Sequence, residues 1–130
     1  MNANSIERFV DIAIKLADSS GPVILDYFRK NLPFEKKDDQ SPVTKADQEA
    51  ETLILNILKA EVPEHGVLGE EHGSKSIDEE YVWVIDPIDG TRAFINGIPL
   101  FGTLIALTHN GTPILGIIDH PALGERWLGI

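Results

Sequence analysis

The hydrophobic period changes once along this chain, near residue 66, and that change restricts the fold more than any other feature. From Ile6 to Leu58 apolar residues recur at spacings of three and four. From Val67 onward they fall into short runs broken by Gly, Pro and Asn. A 3.6-residue period marks amphipathic helices, and short apolar runs between turn residues mark buried strands. Helices gathered before strands predict a layered α+β fold, with two N-terminal helices packed on one face of a mostly antiparallel sheet. Residues 1–130 read as one unit, without internal repeats or low-complexity segments.

Ile6, Phe9, Ala13, Leu16, Ala17, Ile24, Tyr27 and Phe28 make one face of a first helix near residues 4–30. Pro22 lacks an N–H, so it is expected to kink this helix or to start a new one capped by Ser19 or Ser20. Residues 31–43 are polar, carry two prolines and read as a loop. A second helix is expected from Thr44, with Ala46, Ala50, Leu53, Ile54, Ile57 and Leu58 as its buried stripe and Pro63 as its stop. Strands are expected at 67–70, 81–86, 101–109, 112–119 and 125–130. Asn110-Gly111, between two apolar runs, is a hairpin signal because both residues tolerate positive φ.

The chain is long enough for one domain with a core. Asp plus Glu is 21 against 11 Lys plus Arg, a net charge of −10. That excess argues against nucleic acid or an anionic membrane as partner. An anionic substrate would then need bound cations to attract it. The absence of cysteine excludes disulfides and thiolate metal sites and fits a reducing compartment. The start, "MNANSIERFVDI", lacks the basic and apolar regions of a signal peptide. No run of about 18 uninterrupted apolar residues is present. A soluble cytoplasmic protein is the expectation.

Three acidic stretches stand out. Asp47 follows Thr44 by three residues, the spacing of a capping box. Glu70 and Glu71, in "GEEHG", suit a solvated turn. The four histidines show no zinc-ligand spacing and read as surface or structural. "WVIDPIDGTRAF", residues 83–94, carries more information. As a turn it needs nothing beyond Asp-Pro and Asp-Gly. As a site, Asp86 ends a buried strand, Pro87 fixes the backbone and presents the Ile88 carbonyl, and Asp89 returns toward Asp86. Two carboxylates and a carbonyl are oxygen ligands that suit Mg²⁺ rather than zinc. Gly90 allows close approach of a ligand, and "GTRAF" opening a short helix would aim N–H groups at an anion.

"SPVTKAD", "GEEHG" and "WVIDPIDGTRAF", in this order, resemble the inositol monophosphatase family of Mg²⁺-dependent, lithium-sensitive phosphomonoesterases. The resemblance covers essentially the whole chain and implies the N-terminal half of that family's layered sugar-phosphatase fold. It implies that Glu70, Asp86 and the Ile88 carbonyl bind a first metal, and that Asp86 and Asp89 bind a second, with Asp86 bridging. Glu70 would help hold a third, weaker ion. Gly90 and Thr91 amides would hold the phosphate, while Thr91 and Asp47 orient or deprotonate the attacking water. Residues 31–43, with Lys36 and Lys37, match a mobile loop near the metals. The implied chemistry is direct hydrolysis by metal-activated water, with no phosphoenzyme.

Family members are roughly twice this length, so the resemblance implies an N-terminal half whose second metal site lacks one further aspartate. Arg92, in "DGTRAF", together with "DHPALGERWLG", looks most like the histidinol-phosphate phosphatase branch. The inositol enzymes more often carry Thr-Asn at that point, and the nucleotide-directed branch Lys-Glu. The implied partner is a small phosphorylated alcohol, L-histidinol phosphate first and inositol 1-phosphate or a related sugar phosphate second. A homodimer is usual in the family. A different class stays open, a metal-binding or interaction module whose sheet edge at "ERWLGI" pairs with another subunit.

Overall fold

The computed structural model describes residues 2–30, 42–69 and 74–130. Helix α1 spans Ala3–Leu25 and begins at Asn2, whose side chain caps Ser5 N–H at 2.9 Å. It runs through Pro22 as one helix, without the new start that Ser19 or Ser20 would cap. Pro22 lies three residues from the helix end, where its missing N–H costs a single bond. Ser20 is no cap either; it is buried inside the helix. Helix α2 spans Pro42–Glu61 and starts two residues before the expected Thr44. Pro42 opens it, a position where the missing N–H has no helical partner to lose.

Among the described residues six strands follow: β1 Gly66–Gly69, β2 Ser74–Lys75, β3 Tyr81–Asp89, β4 Gly102–His109, β5 Thr112–His120 and β6 Glu125–Gly129. They form one sheet in the order β2-β1-β3-β4-β5-β6. All neighbours are antiparallel except β1 and β3. The hairpin at Asn110-Gly111 has φ of 49° and 84°, as its two residue types allow. Short helix α3, Thr91–Ile95, joins β3 to β4.

Alternation along the strands sends one set of side chains under the helices. Trp83 and Ile85 on β3, Ile105 and Leu107 on β4, and Leu115 and Ile117 on β5 pack with Phe9, Leu16, Ile54 and Leu58 of α1 and α2. Among the described residues none covers the opposite face. Leu68, Val84, Ile118 and Trp127 are 36–55% exposed there, and the last three border a shallow groove of about 660 Å³. Among the described residues, no helix is long and apolar enough to cross a membrane.

At the far end of the core His65 is almost wholly enclosed, its side chain 4% exposed. Its Nδ1 accepts the Trp83 indole N–H at 3.0 Å, and its ring stacks on Tyr81 at 4.9 Å. Burial holds its pKa below the ordinary 6.5, against a smaller opposing pull from Glu64. The folded imidazole therefore stays neutral where the unfolded one takes a proton. Its contribution to stability is complete above pH 6.5 and is lost as pH falls below that value. Between about pH 7.5 and about pH 5.5 the melting midpoint should fall, and it should fall less in His65→Gln. Equal slopes in the two proteins would remove His65 as the cause.

Candidate active site

The sequence places Asp86 at the point where β3 would be expected to stop, yet the strand continues through Pro87 to Asp89. It does so by a bulge. Asp86 pairs with Leu104 and Asp89 with Gly102, so Pro87 and Ile88 together stand opposite Thr103. In a regular strand, residues three apart point to opposite faces. The extra residue cancels this, and Asp86 and Asp89 come to the same face of the sheet, opposite the helices. Proline is tolerated here because a bulge takes it out of the regular ladder.

Gly90 then turns the chain into α3 with φ 90°. A Cβ on Gly90 would lie 3.1 Å from the Leu100 carbonyl oxygen, so both conformation and space favour glycine. Thr91 opens the helix, as "GTRAF" predicts, and Asp89, Gly90, Thr91 and Arg92 are all exposed.

A second apolar cluster holds this turn against α2. Val43, Ala46 and Ala50 pack with Ile88, Phe94 and Phe101. Three members neighbour candidate residues: Ala46 precedes Asp47, Ile88 lies between Asp86 and Asp89, and Phe94 is three residues after Thr91. The cluster thus brings the start of α2 against the stretch from Ile88 to Phe101. Arg29 adds a tie from the end of α1, donating from Nε to the Gly97 carbonyl at 2.9 Å.

Asp47 is 5% exposed and sits in the second turn of α2, since the helix starts at Pro42. The capping-box reading with Thr44 therefore does not hold, because a box carboxylate belongs at the third helical position. Asp47 and Asp86 both engage neighbouring groups, while one oxygen of each, Oδ1, is buried and accepts no hydrogen bond. Glu70, Glu71, Lys36 and Lys37 lie outside the described residues.

One residue escaped the sequence reading. Glu51 is fully buried one turn beyond Asp47. A Cβ on Gly69 would stand 2.3 Å from its Oε1, so the end of β1 is shaped around this carboxylate. The signal was present: Glu51 is four residues from Asp47 and adjoins Ala50 on the buried stripe. Charge alone argued for a solvated position.

Asp86, Asp89 and the Ile88 carbonyl are oxygen donors on one turn, a set that fits a hard cation such as Mg²⁺. Among the described residues no three carboxylate or imidazole side chains converge on one point.

Comparison with known proteins matches the chain to the Inositol monophosphatase family over residues 5–130. The bifunctional phosphatase IMPL2 of Arabidopsis thaliana, named chloroplastic, is 51% identical over 132 residues, covering 100% of this chain and 38% of that protein. The histidinol-phosphatase of Chlorobaculum parvum is 46% identical over 91% of this chain and 46% of its own length. Inositol monophosphatase 3 of Solanum lycopersicum is 35% identical, over 97% and 48%. The solved structure of an inositol monophosphatase from Zymomonas mobilis superposes with a TM-score of 0.86 at 46% identity, over 100% of this chain and 49% of that one. The chain thus spans about half the length of these relatives or less. It has the layered helix-and-sheet architecture of those structures and belongs to the inositol monophosphatase family of phosphatases.

Proposed function

We propose that this chain carries the metal- and phosphate-binding part of a Mg²⁺-dependent phosphomonoesterase that acts on L-histidinol phosphate. The observation that carries the reading is the bulge at Pro87-Ile88, which turns Asp86 and Asp89 to one face beside the start of α3. Asp86, Asp89 and the Ile88 carbonyl would hold the cations, two or three with Glu70, and lithium would compete with them. Bound Mg²⁺ would neutralise the phosphoryl oxygens and make water a stronger nucleophile.

The chain's own residues do the rest. Gly90 and Thr91 present backbone N–H groups to the phosphate. The Thr91 hydroxyl would orient the attacking water, and Asp47, buried on α2, would take its proton. Arg92, exposed next to Thr91, gives a cation that the inositol-type Thr-Asn pair lacks. The homodimer and the cytoplasmic location belong to this proposal, the latter resting on the lack of cysteine.

Identity supports the substrate only in part. The Chlorobaculum histidinol-phosphatase and the Zymomonas inositol monophosphatase are equally similar, at 46%. Inositol 1-phosphate is therefore the second reading. Phosphate release is to be measured on both substrates with and without Mg²⁺. Release that needs Mg²⁺ and is faster from L-histidinol phosphate is expected. A preference for inositol 1-phosphate would reverse the substrate assignment. Mg²⁺ binding without release from either would mean that the groups named here hold the metal but do not suffice for turnover.

A further inference from the structure

The bulge that aligns the two carboxylates has to be held. An extra residue in a strand leaves its backbone groups out of the regular ladder, and a buried carbonyl without a donor is costly. Thr103 supplies the donor. It stands opposite the bulge on β4 and is 0% exposed, and its Oγ1 donates to the Pro87 carbonyl at 2.8 Å.

Thr103 is itself fixed from the far side. It pairs with Asp119 of β5, whose buried carboxylate accepts from Arg126 Nε at 2.8 Å. Two residues before it, the Phe101 carbonyl accepts from His120 Nδ1 at 2.9 Å. The hydroxyl is therefore presented from a braced strand. Valine has the same shape as threonine and would pack in the same space, so packing alone does not call for a hydroxyl here.

We propose that Thr103 is a positioning residue, whose buried hydroxyl fixes the peptide after Pro87 and so keeps Asp86, the Ile88 carbonyl and Asp89 in the arrangement that binds a cation. It touches neither metal nor substrate. The proposal rests on the reading of this turn as the metal site.

The test is Mn²⁺ binding to the 130-residue chain, followed by electron paramagnetic resonance, for the parent, Thr103→Val and Thr103→Ser. Groups that orient metal ligands typically change affinity by 10–100-fold when removed. Thr103→Val should weaken binding about tenfold, and Thr103→Ser, which keeps the hydroxyl, should bind like the parent. A purely structural threonine would lower the melting midpoint of the valine variant and leave its affinity unchanged, which overturns the proposal. Equal weakening in both variants overturns it too, since the hydroxyl would not be the cause. A parent that binds no Mn²⁺ removes the metal reading itself.

A measurement on the parent alone covers the case in which Thr103→Val does not fold. Coupling is reciprocal, so a bond that favours the cation must be favoured by it. Mg²⁺ should slow exchange of the Thr103 hydroxyl proton, seen by NMR, by about the same tenfold. An unchanged exchange rate on saturation with Mg²⁺ would refute the role.

Discussion

Asp86→Asn is expected to lower Mg²⁺-dependent phosphate release by about 10³-fold or more, because several kcal/mol of transition-state stabilisation pass through the cation it holds. The substitution keeps size and shape and removes only the charge. Mn²⁺ or Mg²⁺ affinity should fall with the rate, as an amide oxygen is a poorer ligand for a hard cation. The metal-free protein should stay folded, with its stability within about 1 kcal/mol of the parent. Asp86 is half-buried on β3 just before the bulge, which brings Asp89 to the same face. Two like charges on one face oppose each other until cations arrive, so neutralising one removes no stabilising pair between them. Loss of metal binding with the fold intact is the signature. Full activity in Asp86→Asn would remove the residue from the site, and collapse of the fold would make its role structural.

The sequence shows this site more clearly than it shows what holds the site in place. The turn chemistry of "DPIDGT", the short helix at "GTRAF" and the hairpin at Asn110-Gly111 are local, each fixed by residues within a few positions. The helices and five of the strands follow from the hydrophobic period. Strand β2 has two residues, too few to show a period. The extension of β3 past Pro87 depends on a bulge that forms only against β4. Pro22 leaves a kink and a new start both open, because its neighbours in sequence cannot show how little of α1 lies beyond it. Asp47 looked like a cap because the spacing to Thr44 was right, and only the start at Pro42 moves it inward. Thr103 is sixteen residues from Pro87, and nothing in either segment announces that bond. The apolar run 81–86 reads as buried on both faces, whereas Val84 is 36% exposed on the face away from the helices.

Trp83→Ala should be the most destabilising change in the chain, at about 3–5 kcal/mol, against a total of roughly 5–15 kcal/mol for a domain of this kind. Trp83 is 0% exposed and lies between Val67 of β1 and Leu107 of β4 in the register of the sheet. It takes part in the parallel pairing of β1 with β3, and its indole N–H is the donor to buried His65. Truncation would leave a large cavity under both helices and strip His65 Nδ1 of that donor. Trp83→Phe separates the two effects. It refills most of the volume but not the hydrogen bond, and should cost about 1–3 kcal/mol. Urea midpoints should therefore fall in the order parent, Phe variant, Ala variant; an Ala variant within about 1 kcal/mol of the parent would mean that the core closes around the loss. Trp83 points to the helices, and Asp86, three residues on in the same strand, points the other way. The Phe variant, once folded, should for that reason bind Mn²⁺ as the parent does. A parallel drop in affinity would show that β3 transmits the core's packing to the turn, and that stability and metal binding are not divided between the faces of this sheet.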